Sequence, residues 1–130
     1  MNKIVLDASV LLALLYGEPG AERLTGQSGL LASATISAVN LAEAHSKLVA
    51  EGMDPGDAWQ AAIAPIPEIA AFDSEQAKIT GDLVRQTHAL GLSLGDRACL
   101  ALGIVLKAPI YTADRAWKNL KVGVPIHVVR

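Results

Sequence analysis

Residues 4–6, Ile-Val-Leu, run straight into 8–16, a segment of helical composition that is apolar almost all round, with only Asp7 between them. A triplet without polar alternation suits a strand covered on both faces, and a helix that follows at once is one such cover. The same pairing recurs along the chain. Residues 30–34 offer a strand, after which Ser37 caps a helix reaching Glu51 with Gly52 as its stop. Residues 69–72 offer another, after which Asp73 caps a helix reaching about Ala89. Residues 110–112 and 126–129 are the last strands, separated by a short helix beginning near Asp114. Further helices are expected at 21–25, from Asp54-Pro55-Gly56-Asp57 to just before Pro65, and from Ser93 through Lys107. Strands alternating with helices, without repeats or low-complexity segments, predict a three-layer α/β/α sandwich around a mostly parallel sheet.

At 130 residues the chain has the size of one domain, 1–130, with room for a real core. Because 52% of residues are hydrophobic but only 4% aromatic, Leu, Ile, Val and Ala must build that core. A net charge of −2 excludes a protein that holds nucleic acid by bulk positive charge, so any phosphate-bearing partner needs a local device. Cys99 has no second cysteine for a disulfide or a structural zinc site, which fits a reducing, cytoplasmic setting and a buried filler role. Lys3 before an apolar run superficially resembles a secretory signal. Asp7 interrupts it, the run is too short to span a bilayer, and no small-x-small cleavage site precedes Gly17-Glu18-Pro19-Gly20. A soluble protein without a membrane partner is expected.

The acidic residues carry the chemistry. Each has a plain explanation by itself: Asp7 as a helix cap, Asp96 as the last member of the capping box Ser93-Leu94-Gly95-Asp96, and Asp114 as the cap of the turn at Arg115. Asn40, Glu43, Lys47 and Glu51 form one helical stripe that can simply face water, with Glu43 and Lys47 as a surface pair. Taken together they point elsewhere. In a parallel sheet, strand-to-helix junctions gather along the carboxyl edge, and Asp7 and Asp114 both occupy such junctions. Asp96 heads an almost wholly apolar helix, and Glu43 lies early enough in its own helix to reach the same edge. Four carboxylates in one crevice repel unless positive charge joins them. Oxygen-only ligands favour Mg²⁺ or Mn²⁺ over zinc, and His45, His88 and His127 show no metal-ligand spacing. Such an ion polarises a phosphodiester and activates water, and it makes an acidic cleft acceptable to RNA or DNA.

At this point the residues resemble a known family. "IVLDASVLLAL" with Asp7 and Ser9, "ISAVNLAEAHSKL" with Glu43, "LSLGDRACLALG" with Asp96, and "IYTADRAW" with Thr112 and Asp114 resemble the PIN-domain ribonucleases, and more narrowly the VapC toxins of bacterial toxin–antitoxin pairs. The match extends over the whole chain. The resemblance implies a PIN fold and Mg²⁺- or Mn²⁺-dependent endonucleolytic cleavage of RNA. It implies that Asp7, Glu43 and Asp96 form the acidic core, with Asp114 as a fourth carboxylate, so that Asp7, Asp96 and Asp114 are the expected metal ligands. Ser9 and Thr112 match supporting hydroxyl positions. A homodimer and a VapB antitoxin are the implied partners, the antitoxin lying in an apolar groove to which 41–63, with Trp59, can contribute. Arg97 and Arg115, each directly following a site aspartate, are candidate phosphate contacts, with Lys118 nearby.

Other classes compete less well. A degenerate PIN-like or receiver-like binding module would keep the carboxylates without turnover. A receiver, however, wants a second acidic residue near the first strand and a Lys after a late one, and neither is present. A haloacid-dehalogenase-type phosphatase wants Asp-x-Asp where this chain has Asp7-Ala8-Ser9. No Walker loop, dinucleotide fingerprint or nucleophile elbow occurs.

Overall fold

The computed structural model describes residues 2–26 and 29–130. Among them, strands β1 (Ile4–Leu6), β2 (Ala34–Ser37), β3 (Glu68–Ala70), β4 (Ile110–Thr112) and β5 (Ile126–Val128) form one sheet in the order β3-β2-β1-β4-β5. Every pairing is parallel, with Leu6 opposite Ile36 and Tyr111, and Thr112 opposite Val128. The helices are α1 (Ala8–Tyr16), α2 (Glu22–Thr25), α3 (Ala38–Ala50), α4 (Pro55–Ile63), α5 (Ser74–Asp82), α6 (Val84–Thr87) and α7 (Leu94–Leu106).

Alternate strand residues feed two separate cores, which is what a sheet covered on both faces requires. Ile4, Leu6 and Ile36 pack with Val10 and Leu11 of α1, Leu41 and Leu48 of α3, and Ala58 and Ala62 of α4. Val5 and Ile110 point the other way, towards Cys99, Leu100 and Leu102 of α7 and the buried Trp117. The result is the three-layer α/β/α sandwich expected from the sequence. β1 lies at its centre, and the chain turns back across it between β1 and β4. That reversal is the place in an open parallel sheet where a crevice opens beyond the carboxyl ends of the strands.

Four local expectations shift. Residues 30–33 form a 3-10 turn and the strand begins only at Ala34, running up to the very residue that caps α3. Ser37 serves both elements: it ends β2 and its side chain accepts from the Val39 N–H. The strand expected at 69–72 lies at Glu68–Ala70, because its register is set by pairing with β2 rather than by its own apolar residues. The long helix expected to Ala89 breaks at Leu83 into α5, α6 and a 3-10 turn, and the short helix after Asp114 is a single 3-10 turn, Arg115–Trp117.

The capping box at the head of α7 is formed in full: Ser93 Oγ accepts from the Asp96 N–H, and Asp96 Oδ2 accepts from the Ser93 N–H at 2.9 Å. Ser93→Ala is expected to cost about 1 kcal/mol in urea unfolding with an unchanged denaturant slope. A variant as stable as the parent would show that this cap contributes nothing.

Candidate active site

Asp7 stands at the N-cap position of α1, yet its side chain makes no capping bond. Instead its Oδ2 accepts from Ser9 Oγ at 2.7 Å and from Thr112 Oγ1 at 3.1 Å. Ser9 Oγ also accepts from the Ala113 N–H, and Thr112 Oγ1 from the Asp114 N–H, so the two hydroxyls tie Asp7 to the backbone that carries Asp114. Asp7 is only 4% exposed. Burial pushes its carboxyl up to about 6, the charge of Asp96 adds to the effect, and the two hydroxyls oppose it.

Glu43 comes from the second turn of α3. Asn40, one turn earlier and fully buried, donates from Nδ2 to Glu43 Oε1 and to the Gly95 carbonyl, both at 2.9 Å. The bond to Gly95 joins α3 to the head of α7. A Cβ on Gly95 would run into the Glu43 carboxylate, so the close approach of Glu43 depends on a glycine there. Burial raises the Glu43 carboxyl, Asp96 raises it further, and the Asn40 amide lowers it. Asp96 is both a member of the α7 capping box and a wall of the same recess. Asp114 likewise accepts from the Ala116 N–H through Oδ1 at 2.9 Å and lines that recess.

The recess is a cavity of about 350 Å³ whose wall includes Asp7, Ser9, Glu43, Lys47, Asp96 and Asp114. The structure thus brings together all four predicted carboxylates and one of the two hydroxyl residues on its wall, with Thr112 buried directly behind Asp7. Glu43, Asp96 and Asp114 each hydrogen-bond through one carboxylate oxygen, leaving the other without a hydrogen-bond partner among the described residues. Like charges that share a cavity stay apart until a cation joins them. Among the described residues no three acidic, His or Cys side chains converge closely enough to form a ready-made ion-binding set. The donor chemistry, oxygen-only and anionic, suits a hard divalent cation. Cys99 lies behind these groups, fully buried, its thiol pushed up by burial and then by Asp7, Asp96 and Glu43.

Some expectations need correction. The stripe on α3 does not face water as a whole: Asn40 is fully buried, Glu43 and Lys47 line the cavity, and Glu51 accepts from the Tyr16 hydroxyl. No Glu43–Lys47 ion pair forms among the described residues, because Glu43 is turned towards α7. Arg97 does not line the cavity; its Nη1 donates to the Thr80 carbonyl of α5 at 2.8 Å. Arg115 and Lys118 line a separate cavity next to Asp114. His45 is half-buried and packs edge-on against Trp59, with ring centroids 5.4 Å apart. Asn40 and Gly95 are the site residues that sequence reasoning missed. Their signals are a polar residue three before Glu43 on the same helix face, and a glycine inside the first turn of a helix that does not need one for a turn.

The PIN domain family model matches residues 4–123, and the chain belongs to that family. Its fold is similar to solved chains over their whole lengths at low identity. A VapBC bound to DNA from Salmonella typhimurium shares 17% identity, with both chains covered completely and a TM-score of 0.76. VapBC2 from Rickettsia felis, bound to a DNA fragment from the promoter, shares 16% identity with 98% of each chain covered and a TM-score of 0.74. VapC20 from Mycobacterium tuberculosis, described as a toxin that cleaves the sarcin–ricin loop, shares 17% identity over 95% of this chain and 99% of that one, with a TM-score of 0.70. No curated protein sequence matches the chain significantly.

Proposed function

We propose that the chain is a Mg²⁺- or Mn²⁺-dependent endoribonuclease, the toxin of a VapBC-type pair, that hydrolyses RNA phosphodiester bonds. The observation that carries this reading is the shared cavity: Asp7, Glu43, Asp96 and Asp114 come from four separate elements or junctions and line one recess at the β1/β4 reversal. Asp7, Asp96 and Asp114 would hold the ion. When bound, it supplies Lewis-acid polarisation of a phosphoryl oxygen and lowers the pKa of a water. The chain's own residues hold the geometry. Ser9 and Thr112 fix Asp7 Oδ2, Asn40 fixes Glu43 Oε1, and the α7 capping box fixes Asp96. A cation beside Asp7 would offset the cost of holding its buried carboxylate ionised, and so would lower a carboxyl that burial pushes up to about 6.

A VapB-type antitoxin and a second copy of the chain are the proposed partners, as the VapBC complexes of similar fold suggest. Trp59 of α4, packed edge-on against His45 of α3, remains 40% exposed in the apolar stretch where an antitoxin helix would lie. No helix among the described residues is long and apolar enough to cross a membrane.

Calorimetric titration of Mn²⁺ into the antitoxin-free protein tests the reading before any RNA is chosen. The parent should bind, and at a hundredfold excess over Kd should gain about 3 kcal/mol of stability. Asp96→Asn and Asp114→Asn should weaken that binding. If metal neither binds nor stabilises, the recess is not an ion site and the non-catalytic binding module becomes the better description.

A further inference from the structure

Arg23, Arg115, Lys118 and Arg130 line a second cavity of about 600 Å³, together with His127, and no acidic side chain is part of its wall. Four of the 11 Lys and Arg residues of a chain with net charge −2 therefore meet in one concavity. Two of these cations are held in place: Arg23 donates to the Val128 carbonyl at 3.1 Å, and Arg130 pairs with Glu18 at 2.6 Å. Arg115 and Lys118 have no side-chain hydrogen bond or ion pair among the described residues. The charges of Arg115 and Lys118, set in a concave wall beside two further cations, make a site for anions, and several phosphates in a row satisfy it better than one.

The cavity is joined to the acidic one. Arg130 also lines a smaller cavity of about 280 Å³ that shares Ser9, Leu12, Lys47 and Asp114 with the carboxylate recess. Parallel pairing explains the alignment. Thr112 lies opposite Val128, so the segments leaving β4 and β5 emerge at the same sheet edge, with Asp114, Arg115 and Lys118 on one and Arg130 on the other. The three cavities thus follow one another along this edge, the middle one lined by Tyr16, Lys47 and the Glu18–Arg130 pair, and Arg130 is the residue it shares with the basic cavity.

We propose that the Arg23–Arg115–Lys118–Arg130 cavity is a phosphate-backbone subsite for single-stranded RNA, holding the nucleotides next to the bond presented to the acidic recess. This rests on the nuclease reading for its orientation, but not for its charge. The cations supply affinity through the backbone and leave base choice to other contacts.

The test measures fluorescence anisotropy of a labelled twelve-nucleotide oligouridylate without metal, over a salt series, with Mn²⁺ calorimetry on the same samples. The double variant Arg115→Gln/Lys118→Gln should bind about tenfold more weakly and lower the log–log salt slope by about 1.4, the value for two single-strand phosphate contacts. Its Mn²⁺ binding should match the parent's. Arg85→Gln/Lys107→Gln removes two charges outside this cavity and should leave both readings unchanged. Equal loss in both double variants would mean only general charge was read, and would overturn the subsite. So would RNA affinity that survives Arg115→Gln/Lys118→Gln. If instead the parent binds an oligoglutamate peptide as tightly as RNA, and the same variant loses that binding, the cavity takes an acidic protein segment and the RNA assignment falls. A parent that binds no Mn²⁺ but still loses RNA on substitution would sink the nuclease reading while supporting the subsite.

Discussion

Asp7→Asn is expected to make the protein more stable at neutral pH while reducing RNA cleavage at least a hundredfold. The carboxyl that ordinarily ionises near 3.8 is held at about 6 by burial, so its ionised form is disfavoured in the fold by about 3 kcal/mol. The sign follows from proton counting. Below about pH 4 both folded and unfolded chains carry the proton, and Asp7 costs nothing. Between about 4 and 6 the folded chain keeps a proton that the unfolded chain has released, so stability falls as pH rises. Above 6 the cost is complete and constant. Asparagine has the same shape, and its Oδ1 can accept from both Ser9 and Thr112, so the variant escapes the cost without losing those bonds. Urea unfolding should therefore show parent and variant nearly equal near pH 3.5 and separated by about 3 kcal/mol at pH 7, roughly 10 °C in Tm. Saturating Mn²⁺ should close the gap by stabilising only the parent. A side chain that acted as a helix cap would open no such gap, because asparagine caps a helix as well as aspartate does. Parent and variant equally stable at pH 7 would therefore mean that burial does not disfavour the ionised carboxyl.

That contrast also marks where sequence reasoning stops. The alternation of apolar runs and helices is legible because burial on both faces of a parallel sheet leaves few polar positions to blur it, as in Ile4–Leu6, where all three residues are apolar and buried. Asp7, Asp96 and Asp114 are legible because a strand end or a capping box places each of them, and the carboxyl edge follows from the topology. Boundaries fixed by partners are not. Ile69 is 44% exposed, so the apolar pattern around it marks a strand without fixing its ends, which come from pairing with β2. The break at Leu83 is equally hidden, since residues on both sides suit a helix. Asn40 fails for a further reason: it looks polar on a polar stripe whose other members, Glu43, Lys47 and Glu51, are exposed, and only the packing of α3 against α7 shows that Asn40 itself lies in an interface. Pairing between distant segments decides each of these cases, and no local pattern encodes it.

Gly95→Ala tests that interface where it meets the chemistry. Alanine favours a helix over glycine by up to about 1 kcal/mol, so by local propensity the substitution should be neutral or stabilising. The added Cβ, however, falls on the Glu43 carboxylate. That carboxylate is the far end of a flexible side chain, so it can swing aside and leave the fold intact, breaking its bond from Asn40. Cleavage should then drop about a hundredfold, comparable to losing a group that orients a metal-site ligand, while thermal stability holds or rises. The decisive comparison is the double variant Glu43→Gln/Gly95→Ala. If Gly95 acts only by admitting the Glu43 carboxylate, the double variant cleaves no worse than Glu43→Gln alone, because the two changes remove the same interaction. Losses that multiply would mean Gly95 matters through the α7 backbone instead, and the Glu43 contact would no longer explain why a helix-weakening residue stands at the head of the helix that carries Asp96.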